Sequence, residues 1–358
     1  MRIGFDAKRA FFNSTGLGNY SRDSIRLLSH FYADNKYFLY TPKEIKNSRL
    51  AFLKNRDNTF IRTPQSLLNK TLKSYWRSKS IVSDLFTNKI DIYHGLSHEL
   101  PLGIEKTSIK TVVTIHDLIF IRYPHLFKLI DRKIYNKKFK SACLRADKII
   151  AVSNQTKKDI IDFFFIPEKK IDVVYQGCNK VFQSQIAEDK KTAILSKHKL
   201  QKDYLLYVGS IEERKNLMTL LQTLKELPEQ KLVIIGNGKV YKIKCLRYIS
   251  KHNLADRVAF LSGINLAEMA AIYQNANMLI YPSIFEGFGK TFKKRENCMY
   301  GRLLLPNRLH ESHPIHAGWN NSNFWDGRAV SLEEQAFEPV VNPIEMNDTW
   351  INVEMKLN

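Results

Sequence analysis

Four short stretches carry residue types that could do chemistry. The stretch "GSIEERKN" (209–216) puts Arg214 and Lys215 side by side just past an apolar run. Adjacent cations at a strand end suit a diphosphate, which rewards both a point charge and a planar fork of donors. The plainer reading is two exposed loop charges. "FEGFG" (285–289) follows another apolar run and precedes what should be a helix. There Glu286 can accept from sugar hydroxyls, while the amides of Gly287 and Gly289 at a helix start face phosphate. In "TGLGNYSR" (15–22), Gly16 and Gly18 allow backbone amides to approach a phosphate, although the spacing is not G-x-G-x-x-G and a structural turn fits it equally. His116 ends "KTVVTIHD" (110–117), as a catalyst or as a hydrogen-bonded core residue.

All four stretches close short apolar runs, and these runs dictate the architecture. "RIGFDA" (2–7), "KYFLYT" (36–41), "IDIYHG" (90–95), "KTVVTIHD", "DKIIAVS" (147–153) and "KIDVVYQG" (170–177) read as strands separated by helical periodicity, such as "YSRDSIRLLSHFY" (20–32). A polar, Lys-rich stretch (183–203) interrupts the alternation. It resumes with the strands "YLLYVGS" (204–210), "KLVIIGNG" (231–238), "RVAFLSG" (257–263) and "NMLIYPS" (277–283), and with helices such as 216–227, capped by Asn216. Short apolar strands alternating with helices predict parallel sheets covered on both faces, in an α/β chain of two Rossmann-like domains facing across a cleft. The expected domains are 1–190 and 200–289, followed by an atypical tail, 290–358. Ligands of such sheets bind beyond the C-terminal strand ends, where the four stretches lie.

Composition narrows the class. The 358 residues fit two domains, and 44% apolar with 25% charged content is that of a soluble globular protein. No apolar run of 18 residues and no export signal are visible, and the four cysteines form no C-x-x-C pair. The expected compartment is the cytoplasm, and no structural metal or disulfide is expected. The net charge of +21 attracts nucleic acid, anionic membrane or phosphorylated small molecules. Basic residues are densest at 67–82, with Lys70, Lys73, Arg77 and Lys79 beside Leu68, Leu72, Tyr75 and Trp76, and at 131–148. Such a segment is the solvated face of a packed helix or an interfacial helix on an anionic leaflet at the inner face of the cell membrane. No zinc finger, aromatic strand signature or basic tail is present, so nucleic acid is not an expected partner.

Taken in order, "GFDAKRAFFNSTGLGNYSR", "IDIYHGLSHELP", "TVVTIHDLIFIRYP", "ADKIIAVSNQTKKDI", "KIDVVYQGCN", "YLLYVGSIEERKNL", "LVIIGNG" and "YPSIFEGFG" resemble the family-4 (group 1) glycosyltransferases of GT-B fold, over residues 1 to about 289. The opening stretch is most similar to bacterial members described as mannosyltransferases of cell-surface polysaccharide assembly. The resemblance implies a retaining hexosyltransferase, independent of metal and cofactor. It would move a hexose such as mannose from a GDP- or UDP-linked donor to a glycan or lipid-linked acceptor. It assigns the donor to Gly16, Gly18, Gly209, Arg214, Lys215, Gly287, Phe288 and Gly289, and catalytic positions to His116 and Glu286. Arg214 and Lys215 would stand in for a metal at the leaving diphosphate, and Glu286 is the first glutamate of the family's E-x7-E motif.

The resemblance stops there. The second glutamate should stand at position 294, which is Lys294, and Glu296 lies two residues late. The apolar helix start is replaced by "KTFKKR" (290–295), and no sheet-completing strand follows. A reading-frame shift near codon 290, real divergence, or a His-rich metal-binding tail at "HESHPIH" (310–316) would each produce this. Two readings besides an active enzyme follow: a catalytically impaired homologue with an altered C-terminus, or a basic protein that binds nucleic acid or anionic membrane.

Overall fold

The structure is a computed structural model that describes residues 1–287 other than Lys46, Cys178 and Gln183. The positions Phe288, Gly289, Lys294 and Glu296, and the histidines of 310–316, lie outside the described residues. Contacts divide the chain after Gly177. Each unit is described by itself.

Among the described residues the first unit holds seven strands: β1 (Arg2–Asp6), β2 (Lys36–Tyr40), β3 (Thr59–Arg62), β4 (Ile92–Gly95), β5 (Lys110–Ile115), β6 (Lys148–Ala151) and β7 (Ile171–Val173). They form one sheet in the order β3-β2-β1-β4-β5-β6-β7, parallel throughout. The second unit holds β8 (Tyr204–Val208), β9 (Leu232–Ile235), β10 (Val258–Leu261) and β11 (Ala276–Leu279), parallel in the order β10-β9-β8-β11. Alternate residues of one strand enter different cores. Phe38 and Tyr40 pack into one cluster, and Tyr37 and Leu39 into another on the opposite face. In β8, Leu205 and Tyr207 divide from Tyr204 and Leu206 in the same way. Burial on both faces is why these strands read as continuous apolar runs.

Three local expectations are corrected. "TGLG" is not a turn ahead of the helix: Gly16–Phe31 is one helix, with Thr15 at its N-cap. A Cβ at Gly18 would lie 1.9 Å from the Asn13 carbonyl oxygen, so glycine is required there for close packing, and its amide already donates to Asn13 Oδ1 at 3.1 Å. The segment 67–82 is not one helix. Its first two short pieces, Leu67–Thr71 and Lys73–Tyr75, lead into a wide turn at Trp76–Ser80. Trp76 is buried and donates to Asp84 Oδ2 at 2.6 Å, and Arg77 is tied to Asp6 and Glu99, so neither belongs to an exposed basic face. The Lys-rich interruption also carries a helix, Glu188–Lys197, whose Leu195 packs under the second sheet.

Candidate functional site

In the second unit the site grows from two adjacent strands. β8 and β11 are hydrogen-bonded neighbours, so the chain leaving one meets the chain leaving the other. After β8, Gly209 lies against the end of β9: its N–H donates to the Ile235 carbonyl, and a Cβ at Gly236 would fall 1.8 Å from its carbonyl oxygen. The chain then makes a tight turn at Glu213–Lys215, and Asn216 takes a left-handed conformation (φ 53°) to open the helix Leu217–Lys225. After β11, the Ile284 N–H donates to the Arg214 carbonyl, and Arg214 Nη1 donates to the Phe285 carbonyl. These bonds bring Glu286 over the two cations. One of its oxygens accepts from Lys215 Nζ at 2.5 Å, and the other lies 3.0 Å from Arg214 Nη1. Arg214 Nη2 also donates to Glu212, at 2.8 Å. The Lys215 side chain is only 10% exposed and donates to the Tyr281 hydroxyl at 2.8 Å.

Gly209, Arg214, Lys215 and Glu286 therefore converge at one strand end, and Gly287 follows there, buried. Two largely buried cations sharing one carboxylate form a site able to exchange that carboxylate for another anion.

In the first unit His116 follows β5. Its Nε2 lies 3.0 Å from the Leu96 carbonyl oxygen and its Nδ1 lies 3.4 Å from Gln176 Nε2. A carbonyl can only accept, so Nε2 carries the proton and Nδ1 accepts. Tyr20, from the helix that Gly16 and Gly18 begin, meets the His116 ring edge-on at 4.7 Å. Thus the glycine stretch and His116 share one neighbourhood, through a tyrosine that sequence reading did not single out. Two further histidines line it. His94 Nε2 pairs with Thr114 Oγ1 at 2.8 Å, and His98 Nδ1 accepts the His116 N–H at 3.4 Å while its ring stacks on Phe139. Burial, reinforced by His116, lowers the His94 pKa from 6.5 to about 4. Burial holds His98 well below the ordinary value too, with His116 and Arg9 adding to the effect.

The two parallel α/β sheets are of the GT-B type, and solved structures agree. Sucrose-phosphate synthase from Thermosynechococcus elongatus superposes with a TM-score of 0.62 at 18% identity, covering 81% of this chain and 77% of that one. HepE from Anabaena, solved with UDP-glucose, gives 0.60 at 14% identity, covering 81% and 76%. Residues 27–180 match the family described as Glycosyltransferase Family 4, and residues 189–292 match Glycosyl transferases group 1. From residue 27 to 292 the chain is thus similar to the family-4 and group 1 glycosyltransferases.

Its curated relatives include the O-antigen chain mannosyltransferase RfbU of Salmonella typhimurium, 27% identical over 217 residues, which are 60% of this chain and 56% of that protein. The O-antigen chain mannosyltransferase B of Escherichia coli is 26% identical over 214 residues, 58% and 55%. The match spans just over half the length of these two relatives. The tail brings a finding that none of the three origins weighed above contains: residues 265–358 match the family described as Di-haem cytochrome c peroxidase. A c-type haem needs a C-x-x-C-H attachment. Cys143, Cys178, Cys245 and Cys298 supply none, so the residues present do not fit that group.

The buried histidines set a pH dependence. In the unfolded chain they take protons near pH 6.5, whereas folded His94 resists protonation down to about 4. The unfolded state therefore binds more protons within that window. Stability is complete above about pH 6.5 and falls as pH drops towards 4, His94 alone contributing on the order of 3 kcal/mol. Thermal melts should show a lower melting temperature at pH 5 than at pH 7.5, and His94→Gln should flatten the slope. A melting temperature that does not change with pH would contradict the burial of neutral imidazoles.

Proposed function

We propose that the described residues form the donor and acceptor halves of a retaining hexosyltransferase. The donor is a nucleoside diphosphate sugar, linked to UDP or GDP, and the hexose is mannose by analogy with the O-antigen relatives. The observation that carries this reading is the Glu286 carboxylate held on both Lys215 Nζ and Arg214. A diphosphate presents the same kind of oxygen acceptor with more charge, so it can displace the carboxylate. Glu286 is then released towards the sugar hydroxyls. As the bond from the anomeric carbon to the diphosphate breaks, negative charge builds on the leaving oxygen, and two preorganised cations stabilise it without a metal. The acceptor hydroxyl attacks from the face the diphosphate leaves and passes its proton to the departing diphosphate oxygen, giving retention without a protein nucleophile. The resemblance assigns His116, oriented by Leu96, to the transferred sugar. The acceptor is a cell-surface glycan or lipid-linked saccharide.

A second reading is favoured by the tail. The glycosyltransferase match ends at residue 292, position 294 is a lysine, and the peroxidase-like match runs to the last residue. A donor site also needs a carboxylate for the ribose. We infer that the chain binds the diphosphate and has little or no transferase activity. Sugar transfer assays with UDP- and GDP-hexoses should give at most trace product. Robust transfer by the 358-residue protein would contradict the impaired reading and favour the active one.

The diphosphate site has its own test. Calorimetry should show Arg214→Ala and Lys215→Ala each weakening UDP or GDP binding by roughly 1.5 to 3 kcal/mol, as loss of a charged hydrogen bond does. Unchanged affinity in both variants would overturn the assignment.

Peripheral membrane contact is proposed for the first unit. Leu67, Leu68, Leu72 and Tyr75 are exposed beside the exposed Lys70, Lys73 and Lys79. No helix among the described residues is long and apolar enough to cross a membrane. An apolar edge flanked by lysines is the pattern of a segment lying on an anionic leaflet. The protein should co-sediment with anionic vesicles and not neutral ones, and high salt or Leu67→Ser with Leu68→Ser should release it. Equal sedimentation with both vesicle types would contradict the proposal.

A further inference from the structure

Tyr281 has no role in the reading above, yet it contacts Lys215: its hydroxyl accepts from Lys215 Nζ at 2.8 Å. Tyr281 stands just past β11 and is 37% exposed, so it is not there to fill the core. Gly209 lies beside the pair: a Cβ there would make ordinary contact, 3.7 Å from the Tyr281 hydroxyl and 4.0 Å from Lys215 Cδ.

The other holder of Lys215 is Glu286, whose carboxylate must leave when a diphosphate arrives. A lysine on a four-carbon stem would then have to be ordered by the incoming ligand, at a cost in side-chain entropy. A phenol hydroxyl accepts from an ammonium without competing for the anion. We propose that Tyr281 is a positioning residue: its hydroxyl keeps the Lys215 ammonium aimed at the end of β8 while a diphosphate replaces Glu286. The proposal rests on the diphosphate reading of this site.

The test is calorimetric titration of the full chain with pyrophosphate, which needs no ribose contact, and with UDP. The variants are Tyr281→Phe, Tyr281→Leu, Lys215→Met, and Lys215→Met combined with each Tyr281 change. Tyr281→Phe removes the hydroxyl and should weaken pyrophosphate binding several-fold, and Tyr281→Leu, which removes it as well, should weaken it at least as much. In the Lys215→Met background both Tyr281 effects should shrink to less than about twofold, because the residue acts through the lysine. Melting temperatures identify folded variants, and Tyr281→Phe carries the test if Tyr281→Leu is unstable. Wild-type affinity in the Tyr281 variants, or equal weakening with and without Lys215, would overturn the proposal. Absence of any pyrophosphate or UDP binding to the wild-type chain overturns the diphosphate reading itself, and the proposal with it. Binding that is lost in Lys215→Met and intact in both Tyr281 variants overturns the proposal alone.

Discussion

One carboxylate between two cations governs the end of the second sheet. Removing Glu286 takes the carboxylate away from the nearly buried Lys215, where uncompensated charge is costly, while Arg214 keeps its bond to Glu212. The backbone supports the same geometry through the bonds of Arg214 to Ile284 and Phe285. That geometry depends in turn on β8 and β11 being neighbours, and on glycine at 236, where any side chain would strike the Gly209 carbonyl. The charged cluster is thus held ready by packing that carries no charge, so little reorganisation remains for a ligand to impose.

The first unit solves the opposite electrostatic problem. Its strand ends gather His94, His98 and His116 in a buried, hydrogen-bonded group with Tyr20 and Thr114. Burial keeps His94 and His98 uncharged at neutral pH. Nearby, Asp6 and Glu99 neutralise Arg77, and Asp6 is nearly inaccessible. The two sheets thus carry different side chains at their C-terminal ends: uncharged imidazoles with a tyrosine and a threonine in the first unit, and paired charges in the second.

Much of this was legible in the sequence because apolar runs buried on both faces leave a clear signature. β8 and β9 stand out as "YLLYV" and "LVII". β3 escaped, because "TFIR" is short and mixes polar ends with two apolar residues. Arg214, Lys215 and Glu286 could be picked out by type and by position after a strand. Tyr281 could not, since an aromatic residue at a strand end reads as core until its hydroxyl is seen on a lysine. Gly18 misled for a related reason: a glycine required by close helix packing looks the same in one dimension as one required by a ligand. Spacing made 67–82 look like one amphipathic helix, whereas the chain leaves helical geometry at Leu72 (ψ 57°) and widens its turn at Trp76–Ser80, where Trp76 is buried. The change of pattern at residue 290 was visible as lost periodicity, but its likeness to a peroxidase family needed a comparison with other proteins.

The central claim is that the carboxylate of Glu286 occupies the place of a diphosphate. A crystal structure of the full chain with bound UDP or GDP tests it most directly. The account predicts phosphate oxygens within hydrogen-bond distance of Lys215 Nζ and the Arg214 guanidinium, with Glu286 displaced from both. A nucleotide bound elsewhere, with the Glu286 ion pairs intact, would contradict it.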